Sequence, residues 1–196
     1  GEIALEIPRE TDRYYPQGSL AAHVLGYVVE DEGGKLGMEQ VLEQRLTHPD
    51  QRSEPVALSI DVRVQGALED ELRKGMLATN AIGAAGIVLD ADTGEVMAMA
   101  SLPEFDPNTA GASGATNVFN RATNGVYELG STFKPISVAA AIDAGVVRDL
   151  GRAWDATPVT VGRSTIKDMK PKGATLNVPQ ALVYSSNTVT ARVADQ

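Results

Sequence analysis

The sequence predicts an α+β protein in which an antiparallel β-hairpin is combined with several helices. Two apolar runs of strand length, residues 85–89 and 95–100, flank an Asp/Gly turn, and this pattern is the signal of a hairpin. An apolar residue at every fourth position after Asp61 predicts one amphipathic helix. A nearly uninterrupted apolar run after Gly130 predicts another helix, apolar on almost every side and therefore buried.

Composition excludes several classes of function. The 196 residues carry 17 Lys+Arg against 26 Asp+Glu, a net charge of −9, so the chain is a poor candidate for binding nucleic acid or an anionic membrane surface. The absence of cysteine excludes disulfides and thiol catalysis, and the two histidines, His23 and His48, leave little material for a zinc site. No apolar stretch is long enough to span a bilayer, and residues 1–6 do not resemble a signal peptide.

Turn-forming residues around Pro49 and Pro55 predict a domain boundary near residue 54, which divides the chain into segments 1–54 and 55–196. The first segment is expected to be a small α+β region without chemistry of its own. Its helix, which opens near Gly37, is predicted to carry four apolar residues on one face: Met38, Val41, Leu42 and Leu46.

The second segment begins with a β-rich stretch at residues 56–60, after which Asp61 can cap the amphipathic helix. This helix is expected to end near Gly75 or Asn80. Its buried stripe is predicted to consist of Val64, Leu68 and Leu72. The hairpin comes next, and the Gly, Ala, Ser, Thr and Asn residues that dominate 109–126 predict a loop.

A further helix is predicted to begin at Gly130 and Ser131. Pro135 is tolerated in its first turn, where a missing N–H has no partner to lose, and Gly145 supplies a C-cap. Later in the chain, Asn177 is predicted to cap a short helix that leads into the loop 184–187, and a final amphipathic segment follows.

The pair Ser131 and Lys134 has the spacing of a nucleophile and its base. Residues three apart share a helix face, so the amine can lie beside the hydroxyl. Burial disfavours the charged form of lysine. A neutral lysine can remove the proton of the serine hydroxyl, and this removal makes the serine a nucleophile. The free N–H groups of the helix N-terminus can stabilise an oxyanion. Spacing and context alone do not exclude a non-catalytic interpretation, in which Ser131 only caps the helix and the Lys134 side chain extends to solvent.

The same Ser-x-x-Lys spacing occurs again at Ser164 and Lys167. This second copy runs into a charged stretch that neither starts a long helix nor removes a lysine from water. We therefore expect the second copy to lie at the surface.

Ser185 and Asn187 form a Ser-x-Asn triplet that is expected on a loop between two helices. Its hydroxyl can relay a proton, and its amide can hold a substrate carbonyl. Serine and asparagine are also ordinary capping residues, so the triplet indicates a functional site only in combination with the first motif.

Residues 120–135, with Tyr-Glu-Leu-Gly directly before Ser131, resemble the active-site segment of class B penicillin-binding proteins. Ser-x-x-Lys followed by Ser-x-Asn is the opening of that superfamily's motif set. Residues 13–39 are similar to the end of the family's non-catalytic pedestal. Residues 58–61, 93–101 and 105–108 resemble the start of the family's transpeptidase domain. Residues 154–157 and 165–168 resemble its division-specific branch, known as FtsI.

The resemblance implies acyl transfer on the D-Ala-D-Ala stem peptides of peptidoglycan, with the same serine acylated by β-lactams. Ser131 would be the nucleophile, Lys134 the general base and Ser185 the proton relay, while Asn187 would hold the substrate amide. No metal or organic cofactor is implied. The implied partners are a septal glycosyltransferase and other division proteins, and the implied location is the periplasmic side of a bacterial inner membrane.

The family's third motif, Lys-Thr-Gly or Lys-Ser-Gly on the strand that lines the cleft, does not occur in the chain. The resemblance therefore implies a fragment: the end of a pedestal domain at 1–54 and the N-terminal half of a penicillin-binding transpeptidase domain at 55–196. We expect such a fragment to be inactive alone, because that strand supplies an oxyanion N–H and grips the substrate carboxylate.

Two other classes of function fit parts of the same pattern. A β-lactam sensor would keep the serine and the lysine but signal instead of turning over, and the pedestal-like first segment favours the enzyme over it. A non-catalytic docking module for division partners is the other alternative. A class A β-lactamase is disfavoured because it would have no pedestal and would be complete near this length.

Overall fold

The computed structural model describes residues 13–113 and 117–196, which form two compact units, one up to Val126 and one from Tyr127 onward. Residues 1–12 lie outside the described residues. They include residues 1–6, which were compared above with a signal peptide, and they begin the predicted segment 1–54. The helices and strands of the first unit are α1 Ala22–Leu25, β1 Val28–Val29, β2 Gly33–Gly34, α2 Gly37–Val41, α3 Glu43–Thr47, α4 Val62–Thr79, β3 Ala84–Leu89, β4 Val96–Leu102, α5 Pro107–Ser113 and α6 Arg121–Asn124.

The predicted hairpin is present in the first unit as the antiparallel pair β3–β4. Ala84 pairs with Leu102 and Val88 with Ala98, and the register shifts by a bulge at Leu89. The turn is held by Asp90, whose side chain accepts hydrogen bonds from the backbone N–H groups of Asp92 and Thr93 at 2.9 and 2.8 Å. One face of β4 is buried, which gives this unit a sheet surface for a helix to cover.

Helix α4 covers the hairpin, and Asp61 caps it as predicted by accepting from the N–H groups of Arg63 and Val64. The helix ends at Thr79, next to Asn80 in the left-handed conformation, which agrees with the predicted end. Its predicted stripe is half-buried, and the fully buried positions beside it are polar: Gln65 and Glu69. Periodicity misses these two residues because hydrogen bonds, not apolar contact, make their burial possible.

Three local predictions for the first unit are wrong. Residues 56–60 form no strand, because their contacts to β4 are isolated bonds such as Ser59 Oγ to the Val96 carbonyl. The helix predicted near Gly37 is broken at Leu42 into α2 and α3, and Val41 is exposed. The predicted loop 109–126 contains the end of α5 and all of α6, the latter capped by the Asn120 side chain. Residues 114–116 of that loop lie outside the described residues.

The second unit is mainly helical. Its elements are a 3-10 turn at Gly130–Phe133, α7 Lys134–Asp143, β5 Trp154–Asp155, β6 Val159–Val161, β7 Ser164–Ile166, β8 Thr175–Leu176, α8 Val178–Val183 and α9 Asn187–Ala194. Strand β5 pairs with β8 and β6 pairs with β7, both antiparallel. The core gathers residues from α7, α8, α9 and the short strands: Val138, Ala141, Val147, Trp154, Ala156, Leu176, Val178, Ala181, Val189 and Val193.

The prediction that the helix after Gly130 is buried on nearly every side is wrong. Within this unit, α7 buries Lys134, Val138 and Ala141, whereas Ile136 and Ile142 are 55% and 46% exposed. The buried positions recur at helical spacing because α8 and α9 pack against one face of α7. In the described part of the chain, no helix combines the length and the apolarity that crossing a membrane requires.

Candidate active site

Ser131 lies in the 3-10 turn that leads into α7. Gly130 enters this turn with φ 55°, a left-handed value that glycine adopts without steric cost. Thr132 closes the turn by donating to the Leu129 carbonyl from its backbone N–H at 3.2 Å and from its hydroxyl at 2.6 Å. Ser131 itself is exposed. The serine is therefore presented to solvent on a tight turn, and α7 proper begins only at Lys134.

Lys134 is buried to 9% exposure at the first position of α7. Its Nζ donates three hydrogen bonds, to the Ser185 carbonyl at 2.6 Å, the Ser185 Oγ at 2.9 Å and the Asn187 Oδ1 at 2.7 Å. All three donors of an ammonium group thus have partners. The two predicted motifs meet at this side chain, although more than fifty residues separate them along the chain.

Ser185 connects the lysine to the first serine. Its Oγ accepts from Lys134 Nζ and lies 2.8 Å from Ser131 Oγ, to which it donates. The structure therefore brings all four predicted site residues together, with one difference from the expected arrangement. The expectation was an amine beside the Ser131 hydroxyl, but the described link runs from Ser131 through Ser185 to Lys134.

Burial lowers the pKa of the Lys134 ammonium below its ordinary value, and the Asp168 carboxylate partly opposes this effect. A lysine with a lowered pKa loses its proton more readily than a lysine in water. Once neutral, Lys134 can accept the Ser131 proton through the Ser185 hydroxyl. The arrangement can therefore generate a serine nucleophile.

Ser185 lies in the turn between α8 and α9, whereas Asn187, predicted on the same loop, is the first residue of α9. Asn177 and Gln180 form a reciprocal capping box that starts α8. After α8, Ser185 adopts φ 54°, and Ser186 then caps α9 by accepting from the Val189 N–H. This turn is what directs the Ser185 hydroxyl and the Asn187 amide to the same lysine.

The second Ser-x-x-Lys copy lies at the surface, as predicted. Ser164 and Lys167 are exposed, and Ser164 starts strand β7 of a short hairpin instead of a helix. The residue directly after this copy, Asp168, contacts the Ser-x-Asn loop. Sequence analysis included Asp168 in the FtsI-like residues 165–168 but gave it no role in the site, because a single aspartate in a charged stretch indicates no chemistry by itself.

No group of three His, Asp or Glu side chains is placed to hold a metal ion in residues 13–113 and 117–196. The candidate site consists instead of two hydroxyls, an amine and an amide. This donor set is suited to proton transfer and to holding a carbonyl or amide group.

Comparison with known proteins identifies the family that this site belongs to. The family model described as the penicillin-binding protein transpeptidase domain matches residues 84–196, which include all four site residues. The chain belongs to this family. The predicted penicillin-binding protein resemblance is therefore confirmed.

Among the relatives of this penicillin-binding transpeptidase chain are proteins that carry the name FtsI. The probable peptidoglycan D,D-transpeptidase FtsI of Caulobacter vibrioides is 42% identical over 94% of this chain and 31% of its own length. The peptidoglycan D,D-transpeptidase FtsI of Escherichia coli K12 is 30% identical over 97% of this chain and 36% of its own length. The chain thus spans about a third of the length of these curated relatives. Their names confirm the predicted similarity to the FtsI branch.

The crystal structure of penicillin-binding protein 3 from Mycobacterium tuberculosis, in its apo form, resembles this chain with a TM-score of 0.77 and 28% sequence identity. The match covers 93% of this chain and 43% of that one. Together with the observed mixture of helices and antiparallel strands, this likeness confirms the predicted fold class, part of a penicillin-binding protein domain.

Proposed function

We propose that this chain carries the nucleophile half of the active site of a peptidoglycan D,D-transpeptidase of cell division. The observation that carries the proposal is the hydrogen-bonded series Ser131 Oγ, Ser185 Oγ, Lys134 Nζ and Asn187 Oδ1. A serine linked to a buried amine through a second hydroxyl is a system for activating the serine. Membership of the transpeptidase family and the names of the relatives support the same reaction class.

In the proposed reaction, Ser131 Oγ forms a bond to the carbonyl carbon of the penultimate D-Ala of a stem peptide. The Ser131 proton passes through Ser185 to neutral Lys134 and from there to the nitrogen of the terminal D-Ala, which leaves as the C–N bond breaks. An amine of a second stem then attacks the ester. A new amide forms as the ester bond to Ser131 breaks, and the proton of the attacking amine returns through Lys134 and Ser185 to Ser131 Oγ.

The role proposed for Asn187 is to hold the substrate amide. In the structure its Oδ1 accepts from Lys134, and its Nδ2 donates to the Lys167 carbonyl at 3.2 Å. The second N–H of Nδ2 and the second lone pair of Oδ1 would serve the substrate amide. No cofactor has a part in the proposed steps, and β-lactams would acylate Ser131 in place of the stem peptide.

We further propose that residues 1–54 are the end of a pedestal domain and that the transpeptidase domain begins near residue 55. The expected partners are a septal glycosyltransferase and other division proteins, and the expected location is the periplasmic side of the inner membrane. These proposals rest on the family and on the relatives' names.

The test is the release of D-Ala from a peptide that ends in D-Ala-D-Ala, in the presence of an acceptor amine. A longer form of the protein that includes the third motif should release D-Ala and form the cross-linked product, and we expect the 196-residue chain alone to be inactive. Ser131→Ala should abolish release, whereas Ser164→Ala, the matched change in the second copy, should leave it unchanged. Acylation by penicillin without turnover of any peptide would favour the sensor. The absence of both acylation and peptide turnover would favour the docking module.

A further inference from the structure

The carboxylate of Asp168 is the centre of a hydrogen-bond cluster at the start of α9. Its Oδ1 accepts from the backbone N–H groups of Asn187 at 2.6 Å and Thr188 at 3.0 Å. Its Oδ2 accepts from the hydroxyls of Ser186 at 2.7 Å and Thr188 at 3.3 Å. Four donors from three consecutive residues therefore converge on one side chain.

This cluster differs from an ordinary helix cap. A usual cap comes from a residue next to the helix, and Ser186 already has that role for the Val189 N–H. Asp61 and Asp155 likewise accept from N–H groups only two or three residues away. Asp168 instead reaches α9 from the end of β7, nineteen residues before Asn187. It fixes the position of the helix start relative to another element.

The segment that Asp168 holds is the Ser-x-Asn loop itself. Asn187 gives its Oδ1 to Lys134, and Ser185 lies one residue before the held segment. The neighbouring Lys167 carbonyl accepts from Asn187 Nδ2, so the end of β7 contacts both the backbone and the side chain of Asn187. Ser186 and Thr188, the two hydroxyl donors, are 1% and 0% exposed. Their burial leaves the loop little freedom to shift while these bonds are made.

We propose that Asp168 is a positioning residue of the active site, whose carboxylate holds residues 186–188 so that Ser185 and Asn187 meet Lys134. The proposal rests on the proposed function, because its consequence is faster acylation of Ser131. It adds a residue in the segment after β7 to the two motifs that carry the chemistry.

The charge of Asp168 also acts on the base. Burial raises the pKa of the Asp168 carboxyl, but the hydrogen bonds from Ser186, Thr188 and Asn187 outweigh burial and hold the pKa below its ordinary value, so Asp168 is ionised at neutral pH. The other charged side chains on the elements around Lys134 are few. They are the exposed Lys167 after β7, Asp143 at the far end of α7 and Arg192 on α9.

The experiment compares Asp168→Ala and Asp168→Asn with wild type in the full-length protein, by acylation with a fluorescent penicillin across pH. Asp168→Ala should lower the acylation rate constant about 10- to 100-fold, because the loop loses its geometry. Asp168→Asn keeps the side-chain shape and loses the charge. Since the negative charge raises the pKa of Lys134, its loss should move the acidic limb of the pH–rate profile to lower pH. A purely structural role would lower the rate at every pH without moving the limb.

Asp90→Asn is the matched control, because Asp90 also accepts from two backbone N–H groups, those of Asp92 and Thr93 in the hairpin turn. It should leave both rate and limb unchanged. Hydrogen exchange measured by mass spectrometry tests the positioning without any need for acylation. In both Asp168 variants the amides of residues 187–188 should exchange faster than in wild type, whereas distant amides should not.

The outcomes separate the two proposals. A wild type that is never acylated contradicts the proposed function, and the exchange rates of residues 187–188 still decide whether Asp168 holds the loop. An active wild type with unchanged acylation in both Asp168 variants overturns the positioning role alone. Unchanged exchange at residues 187–188 overturns it in either case.

Discussion

The hydroxyls of Ser131 and Ser185 lie 2.8 Å apart, although 54 positions separate the two residues in the chain. This contact joins the 3-10 turn before α7 to the loop before α9. It means that the proton path from Ser131 to Lys134 depends on a residue outside the Ser-x-x-Lys motif. Four predictions follow, two for this site and two for the stability of the first unit.

Lys134→Arg separates the charge of the base from its ability to lose a proton. Arginine can donate to Ser185 and Asn187 but stays protonated in proteins, so it cannot accept the proton of Ser131. We expect acylation by a fluorescent penicillin to fall about 10²- to 10⁴-fold, the usual contribution of a general base. Lys167→Arg, the matched change in the exposed copy, should have no effect. A Lys134→Arg enzyme as fast as wild type would show that Lys134 is not the base.

Ser185→Gly and Ser185→Ala both remove the relay hydroxyl but should differ in stability. Ser185 has φ 54°, a left-handed conformation that costs an L-residue about 1 kcal/mol and costs glycine little. The Gly variant should therefore be about 1 kcal/mol more stable than the Ala variant in urea unfolding. At Tyr184, with φ −90°, the order should be reversed, because glycine only adds unfolded-state entropy there. Equal stability of the two Ser185 variants would contradict the left-handed assignment.

The buried His23 should make the folded protein less stable in acid. Burial lowers its pKa below the ordinary 6.5, although its hydrogen bond with the Asn117 carbonyl opposes the shift. A depressed folded-state pKa means that the unfolded chain binds a proton first. The free energy of unfolding should therefore fall as the pH drops from 6.5 towards the folded-state pKa. His23→Gln should flatten this slope in urea unfolding at several pH values. An unchanged slope in His23→Gln would contradict the prediction.

Gln65 joins α4 to β4 and is fully buried. Its amide group accepts from the Met99 N–H and donates to the Met99 carbonyl, both at 2.9 Å. Gln65→Leu leaves these two backbone groups unpaired and should lower the free energy of unfolding by about 3 kcal/mol. Gln40→Leu, at an exposed position on α2, should change it by less than about 0.5 kcal/mol. Thermal or urea unfolding of the two variants is the measurement. Near-equal effects would show that the Gln65 bonds contribute little.

The sequence was sufficient for the hairpin, the Asp61 and Asn177 caps and the residues that meet at Lys134. Turns and caps are local, because a side chain bonds to backbone groups two or three residues away. The two motifs could be paired only because their spacing resembles that of a known family. Their contact through Ser185 depends on the left-handed conformation of that residue, which a serine in the sequence does not predict.

The parts that sequence could not predict depend on long-range polar contacts. Gln65 and Glu69 are buried because partners from distant segments satisfy them: Met99 for Gln65, and the Ala21 N–H for Glu69 at 2.8 Å. The role of Asp168 escaped notice for the same reason. The exposed side of α7 was missed because an apolar pattern says which residues can be buried, not which neighbours cover them.

The central claim is that Ser131, linked through Ser185 to Lys134, is the nucleophile, and intact-mass spectrometry after incubation with a β-lactam tests it most directly. In a form of the protein that includes the third motif, we expect a single adduct with the mass of the whole β-lactam, because the ring opens and no group leaves. Peptide mapping should place it on Ser131. The adduct should disappear in Ser131→Ala and persist in Ser164→Ala. No adduct on the wild-type protein, or one that survives Ser131→Ala, would contradict the claim.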